Sequence, residues 1–134
     1  MTPRPAWIAA ALLLLGAGTA AGHHSFAMEY DEKKPVRLTG IVTRVEWANP
    51  HVRFYIDVAG AGGAATAWEL TLPSTNHLLR RGWTRRLLAI GDMVTVDGFQ
   101  ARNGSALANV WLVTLSSGRR VPAGLPIDEA PPAR

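Results

Sequence analysis

The chain has 134 residues, 14 Lys and Arg against 10 Asp and Glu, a formal charge of +4, and no cysteine. Disulfides, thiolate metal sites, cysteine-ligated iron–sulfur clusters, CxxC haem attachment and cysteine nucleophiles are therefore excluded. The basic excess is mild and falls in Arg80-Arg81, Arg85-Arg86 and Arg119-Arg120, pairs that attract anions or acidic lipid heads but are weak evidence for nucleic acid.

Residues 1–22 read as a secretory signal peptide. Arg4 is the positive start, Ala6 to Ala17 form an apolar run containing Leu12-Leu13-Leu14-Leu15, and small residues follow from Gly18 to Gly22. The run is too short for a stable membrane span, and no stop-transfer pattern follows it. A retained anchor is the alternative. No cysteine follows the small residues, which excludes a lipoprotein-type anchor. Removing residues 1–22 leaves 112 residues and, with Arg4 gone, a charge of +3. That is enough for one domain with a single core.

Residues 23–35 form an N-terminal arm with isolated Phe26, Met28 and Tyr30 to pack it. Val36 to Trp47 reads as a long first strand. Val36 and Leu38 share one phase, Ile41, Val45 and Trp47 another, and Gly40 sits at the change. A bulge or bend at Gly40 accounts for the shift. Ala48-Asn49-Pro50 is a turn, since proline fixes its own φ and drives Asn49 from the helical region.

His51 to Val58 alternates cleanly, with Val52, Phe54, Ile56 and Val58 on one side and His51, Arg53, Tyr55 and Asp57 on the other. Gly60-Ala61-Gly62-Gly63 connects it to a third strand, Ala65 to Leu72, with Thr66, Trp68, Leu70 and Leu72 in phase. Pro73-Ser74-Thr75-Asn76 breaks the strand and caps a short helix, His77 to Arg81, which Gly82 stops. Thr84 caps a second turn, Arg85 to Ala89. Gly91-Asp92 leads into a fourth strand, Met93 to Gln100, and Asn103-Gly104 into a fifth, Ala106 to Leu115. Residues 122–134 read as a flexible tail.

The element order β-β-β-α-β-β is that of the OB-fold, a five-stranded, partly open barrel. The expected fold is therefore all-β with one short helix, an OB-fold-like barrel over residues 36–121. Another five-stranded barrel or a small sandwich stays open.

Five pieces of sequence carry a resemblance. They are His23-His24-Ser25-Phe26-Ala27, Leu38-Thr39-Gly40, Glu46-Trp47-x-Asn49-Pro50-His51, Leu78-Leu79-Arg80-Arg81-Gly82-Trp83-Thr84 and Gly91-Asp92-x-Val94-Thr95-Val96-x-Gly98. Together they resemble a family of small exported, proteobacterial proteins catalogued as a domain of unknown function, over residues 23–121. The resemblance implies export to the periplasm and a small β-rich domain. It implies no activity, ligand or catalytic residue.

The cleavage position gives His23 and His24 a chemical reading. Cleavage after Gly22 leaves His23 as the first residue, where its α-amine and imidazole chelate a metal together. A second imidazole then completes an all-nitrogen set suited to copper, similar to a histidine brace. Cleavage after Ala21 puts His24 third, as in amino-terminal copper and nickel sites. The second imidazole can also come from His51, in the loop that borders the usual ligand face of an OB-fold, if the thirteen-residue arm folds back. Glu29, Asp31 and Glu46 are possible oxygen ligands or supporting partners. The expected role is a periplasmic binding module for a copper-type ion through His23, His24 and His51. The plain alternative is solvated histidines with His51 bonded to its turn.

A second candidate is metal-free. Arg53 and Tyr55 on the strand face, or Arg80, Arg81, Arg85 and Arg86 around Trp83, suit an oligosaccharide, an anion or a protein partner. Here the plain alternative is a solvated helix face with Trp83 plugging the end of the barrel, and His77 structural near the cap. Partners are thus an unknown periplasmic protein or small ligand, with no nucleic acid and no stable membrane span after cleavage. No G-x-S-x-G, H-E-x-x-H, P-loop or glycine fingerprint occurs, so an enzyme is not expected.

Overall fold

The computed structural model describes residues 26–124. Their elements are β1 (Tyr30–Glu46), β2 (Arg53–Ala59), a 3-10 turn (Ala61–Gly63), β3 (Ala65–Thr71), α1 (Thr75–Arg80), β4 (Met93–Ala101), β5 (Leu107–Leu115) and β6 (Arg120–Pro122). Residues 26–29 are helical. The six strands form one mostly antiparallel sheet in the order β3-β2-β1-β4-β5-β6, and β3 also pairs with β5 in parallel, from Glu69↔Leu107 to Thr71↔Asn109. The pairings β1–β2–β3–β5–β4–β1 thus return to their start.

Period-two alternation builds the core inside this circuit. Val42, Phe54, Ile56, Leu70, Leu72, Val94, Val96, Val110 and Val113 are fully buried. Trp47 and Trp68 pack partly buried against them. Each such aliphatic or aromatic side chain contributes about 1.5–3 kcal/mol by leaving water. Ser74 caps α1, its hydroxyl accepting from the His77 N–H at 3.4 Å. Leu78 seats the helix in the core. Trp83 is buried beside it and donates its indole N–H to the Pro122 carbonyl at 2.9 Å.

Three expectations are corrected. The register shift of β1 against β2 lies between Val42 and Arg44, not at Gly40. Gly40 and Val42 are buried and Ile41 is exposed, so Val36, Leu38, Gly40 and Val42 keep one phase. The extra residue is Thr43, whose hydroxyl donates to the Tyr55 carbonyl at 3.3 Å. The shift turns Val45 and Trp47 inward. Glycine is needed at position 40 for a different reason. A Cβ there would stand 2.5 Å from the Asp57 carbonyl oxygen, because β2 passes so close.

The first strand also begins at Tyr30 rather than Val36, so half of the expected arm is strand. Phe26 and Tyr30 pack as expected, whereas Met28 is 80% exposed.

Finally, β6 is a sixth strand where a tail was expected to begin. Gly118 closes its hairpin with β5, Val121 and Ala123 are buried, and the N–H groups of Ala123 and Gly124 both donate to the Trp111 carbonyl. Residues 84–92 make turns, as expected after Thr84, with the Leu87 N–H on the Thr84 carbonyl and the Ala89 N–H on the Asp92 carboxylate.

Candidate functional site

The turn between β1 and β2 is stitched to the connection between β3 and α1. Asn49 Oδ1 accepts from both the backbone N–H and the hydroxyl of Thr75, at 3.1 and 3.0 Å. The Asn49–Pro50 peptide is cis. The Val52 N–H donates to the Pro73 carbonyl, and the Leu72 N–H to the Val52 carbonyl. Between these lies His51, whose Nδ1 is 3.2 Å from the Leu72 carbonyl oxygen. A carbonyl only accepts, so Nδ1 carries the proton in this bond. In the neutral ring the lone pair is then on Nε2. That pairing of a ring N–H with a backbone carbonyl is the arrangement that orients metal-ligating histidines. It is equally what the plain reading of His51, a residue bonding its turn, requires.

The N-terminal segment is fixed close by. Phe26 packs on Tyr30 with ring centroids 5.4 Å apart and edge-on to Phe99 at 6.4 Å, with Leu107 and Trp111 against the same cluster. Arg102 holds residues 27 and 29 through their carbonyls. The Tyr30 hydroxyl donates to Thr71 Oγ1 at 3.0 Å. Burial raises the Tyr30 phenol above its ordinary pKa, with the charges of Glu29 and Glu69 adding to it against the Thr71 bond and Arg53. Thr71 and Phe99 are both register partners of Asn109, which is buried and whose Oδ1 has no hydrogen-bond partner. Because core residues alternate with these three along their strands, the segment lies on the outer side of β3, β5 and β4. Thr71 adjoins Leu72, the residue that holds His51.

His23 and His24 lie outside the described residues. Among the described residues no three His, Asp or Glu side chains gather as a metal-ligating group.

On the strand face, Arg53 pairs with Glu69 at 3.3 Å and Arg44 with Glu46 at 3.1 Å. The Arg44 guanidinium also lies 3.9 Å over the Tyr55 ring. Arg53 and Tyr55 are therefore brought together with their charge already matched. Arg44 was missed in the sequence. Its signal was its place on β1 opposite Tyr55, visible only once the bulge at Thr43 sets the register.

The four arginines near Trp83 are not one cluster of equals. Arg81 donates its Nε–H to His77 Nε2 at 2.8 Å, which gives His77 the structural role expected of it. Arg80, Arg85 and Arg86 are exposed. Trp83 is buried in the core and offers no ring face for stacking. Arg85 lines a shallow apolar cleft together with Trp47, Val52, Trp83 and Leu88.

A family model matches residues 11–109, about three-quarters of the chain. The chain belongs to DUF6152, a family of unknown function. The DUF6152 match contains both ends of the Tyr30–Thr71 and His51–Leu72 bonds and ends at Asn109, before most of β5 and all of β6. No curated protein matches the chain. No helix among the described residues is long and apolar enough to cross a membrane.

Proposed function

We propose that this DUF6152 protein is an exported, periplasmic OB-like binding module that holds a copper-type ion through its mature N-terminal histidines and His51. The closed circuit of pairings, with β3 parallel to β5 and a helix between β3 and β4, supports the OB-like barrel. The observation that carries the metal reading is His51. Its Nδ1–H is committed to the Leu72 carbonyl, which leaves Nε2 as the donor atom on an exposed ring. The Tyr30–Thr71 bond supports the arm's part in it, because it anchors the N-terminal segment to the residue next to Leu72. His24 is two residues before Phe26, the first residue of that packed segment. Imidazole and α-amine nitrogens suit a late first-row metal, and the chain has no thiolate to compete. The role is metal handling or delivery, not turnover.

The metal-free module is the lesser proposal. Its strand-face cation, Arg53, is engaged by Glu69. Titration of Cu(II) into the mature protein decides the matter, with His51→Ala and an N-terminally extended form alongside. The wild type binds tightest and both variants lose affinity. Equal, weak binding by all three would sink the metal reading.

A further inference from the structure

Among the described residues five large apolar side chains are exposed: Met28, Ile41, Leu79, Ile90 and Met93. Three of them meet. Ile41 and Met93 are direct register partners across β1 and β4, so their side chains share the outer face. Ile90 joins them because the next two residues are tied to β1. The Gly91 N–H donates to the Val42 carbonyl and the Val42 N–H donates to the Asp92 carbonyl, each at 2.8 Å. Ile90 is 74% exposed, Met93 54% and Ile41 37%. Nothing in the core's alternation requires this, since Val94 and Val96 already fill the inward phase of β4.

The same loop carries charge. It is tied to β1 at Gly91 and Asp92 through Val42, and at its other end Arg85 lines a cleft with Val45 and Trp47. Arg85 and Arg86 are exposed and make no ion pair among the described residues, in contrast to Arg37, Arg44 and Arg53, which each hold a carboxylate. Three carboxylates lie near this loop and the patch: Asp92 is committed to the Ala89 N–H, Asp57 stands opposite Ile41 on β2, and Glu46, between Val45 and Trp47, is held by Arg44. Exposed isoleucine and methionine beside unpaired guanidiniums is the combination that seats a protein in the headgroup layer of an anionic bilayer.

We propose that the ridge formed by Arg85, Arg86, Ile90 and Met93, with Ile41 beside it, docks this protein reversibly on an anionic lipid surface. The arginines meet the headgroups and the apolar side chains enter the acyl boundary. Charge complementarity selects this occupant over a second copy of the chain, which would set Arg85 and Arg86 close to their own counterparts. The proposal is independent of the metal reading, because it uses neither the histidines nor the N-terminal segment.

The test is vesicle flotation with the protein expressed from the 134-residue sequence and recovered as the cell leaves it. Vesicles of phosphatidylcholine alone are compared with vesicles containing one-third phosphatidylglycerol. The wild type partitions more strongly to the anionic vesicles, and added salt removes the difference. Arg85→Glu with Arg86→Glu lowers that partitioning about thirty-fold or more, from about fivefold for each arginine. Ile90→Ser with Met93→Ser lowers it about tenfold. All four positions are on the surface, so thermal melts of the variants match the wild type. Inorganic phosphate competes no better than sodium chloride of equal ionic strength. Equal partitioning to both vesicle types overturns the proposal, as does either variant behaving like the wild type. Selective displacement by phosphate overturns it in favour of a small-anion site, and self-association through the ridge in favour of a dimer contact.

Discussion

Tyr30 donates its hydroxyl proton to Thr71 Oγ1 at 3.0 Å, joining positions 41 residues apart in the chain. The bond fixes the start of β1 to the end of β3, two strands that are not neighbours in the order β3-β2-β1-β4-β5-β6. It also makes the N-terminal segment part of the fold. Tyr30→Phe should therefore cost about 1 kcal/mol, the net value of a buried neutral hydrogen bond. It also has a pH signature. Burial raises the folded phenol above 10.0, so above that pH the unfolded chain releases the proton first. The phenol's contribution is complete below that point and is lost as pH rises toward the folded value. Urea midpoints from pH 8 to 11 should fall at the alkaline end, and Tyr30→Phe should remove part of that fall.

His51 separates stability from metal binding. His51→Ala deletes the bond to the Leu72 carbonyl and should cost about 1 kcal/mol, with copper affinity falling as well. An N-terminal extension touches no bond of the turn, so it should lower copper affinity with the urea midpoint unchanged. If the extension changes nothing in the titration while His51→Ala lowers stability alone, His51 is only a fastener of the turn.

Asn49 fastens the same turn more strongly. Its Oδ1 accepts two hydrogen bonds from Thr75 at the start of α1. Asn49→Ala leaves both donors without that partner and should cost about 1–2 kcal/mol. Asn49→Asp keeps the acceptor and should recover most of it. Denaturant midpoints of the three proteins, read at constant slope, check this.

What was legible in the sequence follows from local physics. The alternation of Val52, Phe54 and Ile56 and of Trp68, Leu70 and Leu72 gave β2 and β3, and the Pro73-to-Asn76 break with Gly82 bracketed the helix, which starts at Thr75, two residues before the expected His77. The places that were misread depend on distant chain. Gly40 looks like a bulge from its neighbours in sequence, but its role is set by the backbone at Asp57. Strand β6 is only Arg120–Pro122, and its formation rests on β5 across a turn at Gly118. At the candidate site, His51 was legible as a turn residue, but its carbonyl partner 21 positions away was not. Arg53 looked like an open cation because Glu69 meets it only through the β2–β3 register.

Gly40 offers the sharpest check of the corrected strand. Its φ is ordinary, so the position does not need glycine for backbone freedom. An added Cβ would meet the Asp57 carbonyl oxygen at 2.5 Å and its carbon at 3.0 Å, both backbone atoms of a paired strand that cannot rotate away. Gly40→Ala should therefore force β1 and β2 apart and cost about 2–3 kcal/mol, in the upper range for overpacking. Gly104 is the control of opposite kind, with a φ of +77° and open space around it. Gly104→Ala meets no atom, only the left-handed backbone, and should cost about 1 kcal/mol. If instead Gly40 were a bend that needs glycine's freedom, alanine at the two positions would cost about the same. Thermal melts of the pair distinguish steric crowding at Gly40 from conformational strain.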